Sequence, residues 1–455
     1  MASCNKNDII TLELTGMTSE GSAVGHYNGM AVFVAGGAVG DAVSAVVIKA
    51  KKTYAIAKIL EIITPSADRI EADCQAFPSC GGCVYRHINY QSELDIKKQF
   101  VEDCMRRIGG LDNLPIDNTV SNGIIEGYRN KCEFPVGTDK NGRIITGFYS
   151  YHSHRIIECD NCRLHSAVFS EINRIFKDWA NEYHLTAYDE NTKKGLLRHL
   201  YIRRAEVTGE ICVCIVATNK NISHIDELIK RLVSYSTDIK SIVININNKD
   251  TNVILGGECV TVYGSDYIYD VLCGLKIRLS VLSFYQINRA QAEQLYSIAK
   301  EYAQLDGTQT VLDLYCGAGT IGLSCADSAK QIIGVEIIPE AIKDAKENAH
   351  INGIKNARFI CGDAEQAAIK LKNENITPDV ILLDPPRKGL TEQLIKTCCD
   401  MSPKRIVYVS CNPATQARDL AVFDKLGYRI EKVTPVNMFP RTAHCETVVL
   451  MSRAE

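Results

Sequence analysis

No uninterrupted apolar run in this 455-residue chain approaches the ~20 residues that a membrane-spanning helix needs. The first residues, MASCNKNDII, lack the basic-then-apolar layout of a secretory signal. These absences argue against a membrane-spanning or exported protein and leave the cytosol as the expected compartment, with no membrane partner. Internal repeats and low-complexity tracts are also missing, which removes solenoids and long disordered tails. There is no excess of positive charge: the formal net charge is −3, so whole-chain electrostatics do not announce a nucleic-acid binder. Nineteen cysteines without an export layout point to a reducing compartment rather than a disulfide framework.

What is present is an ordinary soluble composition, 46% hydrophobic and 23% charged, on a chain too long for one core. Local charge says more than the total. The stretch KKGLLRHLYIRR carries Lys193, Lys194, Arg198, Arg203 and Arg204 with no acid. Arg129, Lys131, His152, His154 and Arg155 lie among tyrosines. Basic residues interleaved with aromatics suit RNA, which offers phosphates and stackable bases; a solvated face is the plainer alternative.

Three units follow from the patterning. Residues 8–63 hold alternating or β-branched runs at IITLEL, MAVFV, AVSAVVIKA and YAIAKILEI, punctuated by glycines. They read as a small β-barrel of four or five strands, unit 1–65. Unit 66–280 mixes strands and helices. It opens on CQAFPSCGGCVYRHINY and an amphipathic helix from about Tyr90 to Ile108, stopped by Gly109 and Gly110. That helix is a candidate to pack on the last unit, 281–455, where strands at 310–314, 332–337, 357–361, 379–383 and 405–409 alternate with helices. This is the pattern of a doubly wound parallel sheet, closed by an antiparallel pair after Gly427.

The chemistry gathers at the ends of those strands. VLDLYCGAGTIGL is a strand, a glycine turn with Gly317 and Gly319, and a helix start. Glu336 ends the next strand, where a carboxylate can accept both ribose hydroxyls. Asp363 follows the third strand, where an adenine amino group would lie, and Asp384 the fourth. An adenosyl ligand without a phosphate clamp indicates S-adenosylmethionine rather than a dinucleotide. IVYVSCNPAT places Cys411 where the fifth strand ends; by position it is packing, a metal ligand or a nucleophile. Cys74, Cys80 and Cys83 have the spacing C-x5-C-x2-C, and a three-cysteine set wants a fourth thiolate, from Cys159 or Cys162. A [4Fe-4S] cluster is the expected occupant, with four-cysteine zinc as the alternative.

The combination of SFYQIN, DLYCGAG, LLDPPRKG, YVSCNP and HCETV resembles the RNA uracil-5-methyltransferase family over essentially the whole chain. The segment EGSAVGHYNGMAVFVAGGAVGD resembles the RNA-binding TRAM domain. The resemblance implies an N-terminal TRAM-like barrel, a central domain with a cysteine-ligated cluster and a C-terminal Rossmann-like methyltransferase sheet. It implies that Cys411 is the nucleophile, that Glu446 is the base, and that Gln286, Tyr315, Glu336 and Asp384 bind S-adenosylmethionine. In relatives with an iron–sulfur cluster the fourth ligand precedes an x-Leu segment, which favours Cys162 over Cys159. Barrel and cluster together resemble the branch acting on 23S ribosomal RNA, so the expected partner is large-subunit ribosomal RNA and the enzyme a monomer. Transfer RNA, at a T-loop uridine, is the alternative substrate, and a non-catalytic iron–sulfur RNA-binding protein the alternative class. RNA cytosine-5 methylation is disfavoured: that family carries a cysteine after its Asp-x-Pro turn, where this chain has Arg387.

Overall fold

The computed structural model describes residues 4–151 and 153–454; His152, one of the basic residues named above, lies outside them. Strands β1 (Ile9–Met17), β2 (Ala23–Tyr27), β3 (Met30–Ala35), β4 (Ala42–Ala50) and β5 (Tyr54–Thr64) form a closed barrel in the order β1-β2-β3-β5-β4. Side-chain alternation sends Leu12, Leu14, Val32, Val34, Val43 and Val47 into its core. The run AVGHY of β2 has no sequence signature of its own. Its Gly25 is required by contact: a Cβ there would lie 2.4 Å from the Glu13 carbonyl oxygen of β1.

Helix α1 (Tyr90–Arg107) starts at Asn89, whose side chain accepts the Ser92 N–H at 2.9 Å. Its apolar face, Val101, Cys104 and Met105, does not join the central unit; it enters the core of the last one.

The central sheet contains β6 (Lys131–Thr138), β7 (Ile144–Tyr149), β8 (Ile156–Glu158), β9 (Leu197–Arg204), β10 (Ile211–Ala217), β11 (Ile239–Ile246) and β12 (Glu258–Gly264), in the order β12-β11-β10-β9-β6-β7-β8. Only the β10–β11 pair is parallel among the described pairings of this sheet. Helices α2 (Ala167–Glu182) and α3 (Ile225–Tyr235) cover one face through Phe169, Phe176, Trp179, Leu228 and Leu232. The other face, with Tyr201, Cys212, Cys214 and Val243, packs into the last unit's core beside the hairpin β13 (Tyr267–Leu272)–β14 (Leu275–Ser280) and helix α4 (Arg289–Ala303).

This arrangement corrects the reading of two residues of the basic stretch 193–204. Its part 197–204 is β9, in the middle of a sheet covered on both faces, and Arg198 and Arg203 are buried there, while Lys193 and Lys194 precede the strand and stay exposed. Arg198 donates to the carbonyls of Asn247 (3.0 Å) and Lys249 (2.7 Å). Arg203 donates to those of Ser280 (2.8 Å) and Ser283 (2.9 Å). Lys193 pairs with Asp250 at 2.6 Å.

The last unit holds β15 (Thr310–Leu314), α5 (Thr320–Ser324), β16 (Gln331–Glu336), α6 (Pro339–Ile351), β17 (Ala357–Cys361), α7 (Ala364–Asn373), β18 (Val380–Leu383), α8 (Glu392–Asp400), β19 (Arg405–Ser410), α9 (Pro413–Lys425), β20 (Tyr428–Val436) and β21 (Glu446–Arg453). The order is β17-β16-β15-β18-β19-β21-β20, five parallel strands and then an antiparallel pair. Strand order reverses between β15 and β18, which opens a crevice at the strand carboxyl ends. Val311, Ile332, Leu382 and Val407 point to the α4 layer; Leu312, Ile333, Ile381 and Tyr408 point to the layer that includes α1 and α9. Gly109 permits the close approach of α1 and α9, since a Cβ there would lie 2.9 Å from the Ala417 carbonyl oxygen. Among the described residues no helix is long and apolar enough to cross a membrane.

Candidate active site

At the end of β15 the chain turns through Tyr315 at φ 68°, Gly317 at φ 54° and Gly319 at φ 81°. A tyrosine in the left-handed region is uncommon, and such strain collects where a backbone must meet a ligand. The turn brings the Gly317 N–H to Glu336 Oε2 (3.2 Å), while Ile338 N–H donates to Oε1 (2.9 Å). Each carboxylate oxygen retains acceptor capacity for a vicinal diol. A Cβ on Gly317 would meet nothing within 4 Å, so the space above the turn is open. Ile337, next to Glu336, is 60% exposed and offers an apolar face to a planar base.

Asp384 follows β18. Burial pushes its carboxyl up to about 7. Gln286 contacts the Tyr296 hydroxyl, which also meets Thr320 Oγ1 at 3.2 Å, and the negative charge of Asp384 reaches that hydroxyl too. Gln286 and Asp384 thus both lie near the Tyr296 hydroxyl, and Gly317 and Glu336 meet across the turn after β15. Asp363 is differently placed: it caps α7, its Oδ1 accepting the N–H groups of Glu365 and Gln366 at 3.1 Å each.

The second half of the site comes from register. β19 and β21 pair antiparallel up to Ser410↔Thr447. Cys411 and Glu446 are the next residue on each side of that last pair, and the two side chains are close enough for the charge of Glu446 to act on the thiol. Glu446 is 7% exposed. Burial, and then the negative charge of Asp384, push its carboxyl up to about 8 against the opposing pull of Arg387. Burial also raises the half-buried Cys411 thiol; Glu446 and Asp384 add to the rise and Arg387 opposes it. Arg387 is held there by its own carbonyl, which accepts Asn412 Nδ2 (3.0 Å) and Thr415 Oγ1 (3.1 Å) from the start of α9. Cys445 points the other way, buried in the α1 layer.

The placement of Arg387 beside the thiol was not foreseen from the sequence. The signal was its position directly after Asp384-Pro385-Pro386. Tyr296 was also missed, because nothing in a helical sequence marks the residue that leans on a neighbouring loop.

The expected metal centre stands apart. Cys74, Cys80, Cys83 and Cys162, with Cys159, line a single cavity of about 50 Å³. Among the described residues no three His, Cys, Asp or Glu side chains are gathered as around a metal ion. The cavity wall carries Arg86 Nε and Nη2, Arg129 Nε and His165 Nδ1, all buried; Arg86 leans on the Cys83 thiol, His165 on the Cys162 thiol and Arg129 on the Tyr128 hydroxyl. Such donors are costly unless an acceptor meets them.

The architecture and site agree with known proteins. Residues 89–454 match the tRNA (uracil-5-)-methyltransferase family and residues 5–60 the TRAM domain. An RNA methyltransferase of Clostridium tetani is 42% identical over 98% of this chain and 97% of its own. One of Halalkalibacterium halodurans is 42% identical over 99% and 98%. The crystal structure of the Pyrococcus abyssi tRNA (uracil-54, C5)-methyltransferase with S-adenosyl-L-homocysteine superposes with a TM-score of 0.78 at 25% identity, covering 97% of this chain and 100% of that one. The crevice, the facing strand ends and these matches have one reading: the chain belongs to the tRNA (uracil-5-)-methyltransferase family and is an S-adenosylmethionine-dependent RNA methyltransferase with an N-terminal TRAM domain.

Proposed function

We propose that the protein methylates carbon 5 of uridine in RNA, with Cys411 as nucleophile and Glu446 as base. The observation that supports this is the end of the β19–β21 ladder at Ser410↔Thr447, directly before Cys411 and directly after Glu446, with Asp384 acting on both side chains. Carbon 5 of uracil is too weak a nucleophile unaided. The Cys411 thiolate adds to carbon 6, which makes carbon 5 enolate-like. Bound S-adenosylmethionine supplies the electrophilic methyl group. Glu446 then takes the carbon 5 proton, the C–H electron pair forms the C5–C6 double bond, and the carbon 6–sulfur bond breaks to return the thiolate. Arg387 stabilises the thiolate, and the N-terminus of α9 favours the same charge. Glu336, Tyr315, Gln286, Gly317, Asp363 and Asp384 are the proposed cofactor contacts. The target uridine must leave its stack to reach Cys411.

The proposed substrate is 23S ribosomal RNA, supported by the barrel and the cysteine cavity in one chain. Transfer RNA is the second reading, favoured by the likeness to the Pyrococcus abyssi tRNA (uracil-54, C5)-methyltransferase. In this reading Cys74, Cys80, Cys83 and Cys162 would hold a [4Fe-4S] cluster; what supports it is the one cavity they line, with Arg86, Arg129 and His165 in its wall. Such a cluster would cross-link the 74–83 turn to residue 162. Metal analysis and the visible absorption of protein purified without oxygen separate it from zinc.

The test of mechanism is RNA carrying 5-fluorouridine at the target, mixed with enzyme and S-adenosylmethionine. Fluorine does not leave as a proton, so a covalent, methylated complex should accumulate. An undiminished complex with Cys411→Ala would remove Cys411 from the mechanism. Mapping 5-methyluridine in ribosomal and transfer RNA from a deletion strain identifies the substrate.

A further inference from the structure

Residues 437–445 join β20 to β21, and Glu446 follows at once. Side chains from distant parts of the chain tether this connection. The Met438 carbonyl accepts Asn288 Nδ2 (2.9 Å), that of Phe439 accepts Lys97 Nζ (3.2 Å), and that of Pro440 accepts the Tyr128 hydroxyl (2.9 Å). The Arg441 carbonyl accepts the N–H groups of Val84 (2.9 Å) and Tyr85 (3.2 Å), the two residues after Cys83.

A charged cluster lies underneath. Glu93 of α1, wholly buried, accepts the Arg441 N–H (2.9 Å) and Asn437 Nδ2 (3.0 Å). Lys97 lies 3.1 Å from Glu93 and donates to Asn437 Oδ1 at 2.6 Å. Arg441, only 6% exposed, donates from Nη1 to the carbonyls of Ile88 (2.9 Å) and Tyr85 (3.3 Å). Its own backbone is held at φ 69°, in the left-handed region. A surface link between two strands needs none of this. Buried charges are costly to retain, and a backbone outlier persists only where its surroundings over-determine it.

We infer that Glu93 and Arg441 are positioning residues for Glu446: they hold the 437–445 connection so that the carboxylate stays in register with Cys411, and through Val84 and Tyr85 they tie that register to the turn carrying Cys80 and Cys83. This rests on the reading of Glu446 as the base. Adduct formation and methyl transfer do not use that base; release does. In release the carbon 5–hydrogen bond breaks, the proton passes to Glu446, the electron pair forms the C5–C6 double bond, and the carbon 6–sulfur bond returns its electrons to Cys411. A displaced carboxylate therefore slows release alone, and misplacement of about 1 Å costs up to ~10²-fold.

The experiment follows the covalent complex on unmodified uridine RNA after a single turnover. For Arg441→Ala, release of methylated RNA should slow by about 10–10²-fold, with unchanged S-adenosylmethionine affinity and unchanged rate of adduct formation. Arg441→Lys should recover part of the loss. Cys83→Ser should show the same retention in weaker form, together with faster amide hydrogen exchange across 437–446. Should Arg441→Ala not fold, Glu93→Gln, which keeps the shape and removes the charge, carries the same expectation. The inference is overturned if release is unchanged in the folded variants. Equal losses in cofactor binding, adduct formation and release would also overturn it, since they mark a general structural role. Failure of the wild-type enzyme to capture 5-fluorouridine RNA overturns instead the mechanism on which it rests.

Discussion

The two seven-stranded sheets carry charged residues of the same kinds and use them in opposite ways. In the central sheet Arg198 and Arg203 are buried and donate to carbonyls from neighbouring segments, so their charge serves the fold. In the catalytic sheet Asp384 and Arg387 stand past the carboxyl end of β18, and Glu446 opens the antiparallel β21 at the same edge, so that their charges act on one another. Glu336 lies between these extremes: it receives two N–H groups and still presents free lone pairs. A charge in mid-strand of a covered sheet has to find protein partners; a charge beyond the strand ends can wait for a ligand.

That contrast can be broken by substitution, beginning where it should be sharpest. Cys411→Ala should lower turnover by about 10⁴-fold or more, with RNA affinity unchanged in a filter-binding titration. Glu446→Gln should cost about 10²–10⁴-fold and leave methylated RNA attached to protein on a denaturing gel. Glu336→Ala should weaken S-adenosylmethionine binding by about 10–10²-fold, as expected for loss of hydrogen bonds to a charged group, read by calorimetry.

The raised Glu446 carboxyl makes a signed prediction about pH. Its folded value is about 8 and its unfolded value near the usual ~4.3. The folded protein therefore binds the extra proton between those limits, and stability from this group is lost as pH rises through about 8. Glu446→Gln should unfold later than wild type at pH 9, by up to about 5 kcal/mol, and match it near pH 4. Thermal melts across pH decide this, and a constant gap would refute it. At the other pole, Arg203→Met should cost about 1–3 kcal/mol of stability by stranding two carbonyls. The slope of RNA affinity against salt should not move. A shallower slope would return β9 to the RNA surface.

The catalytic sheet was readable in the sequence because its five parallel strands, all but β17 buried runs, each have a chemical marker where they end: Tyr315, Glu336, Asp363, Asp384, Cys411. The barrel was readable from period-two alternation, apart from β2, where glycine and histidine hide it. Helix α2 was missed although Phe169, Ile172, Phe176 and Trp179 have helical spacing. The basic stretch misled because a row of arginines looks alike on a solvated face and within a sheet, and only neighbouring carbonyls distinguish them. Arg387 beside Cys411, and the Glu93–Arg441 contacts, lie beyond local pattern: they join residues hundreds of positions apart or depend on how a loop folds back.

The placement of α1 also bears on how the molecule is made. Its apolar face, Val101, Cys104 and Met105, belongs to a core whose remaining walls are strands from 310 onward. At roughly 5–20 residues per second, a growing chain would hold this finished helix without its sheet for roughly 20–60 s. The barrel can close in that interval, since all of its strands have already emerged. The methyltransferase fold is thus begun before the central domain exists and completed after it, so a fragment starting at 281 would lack one wall of its own core.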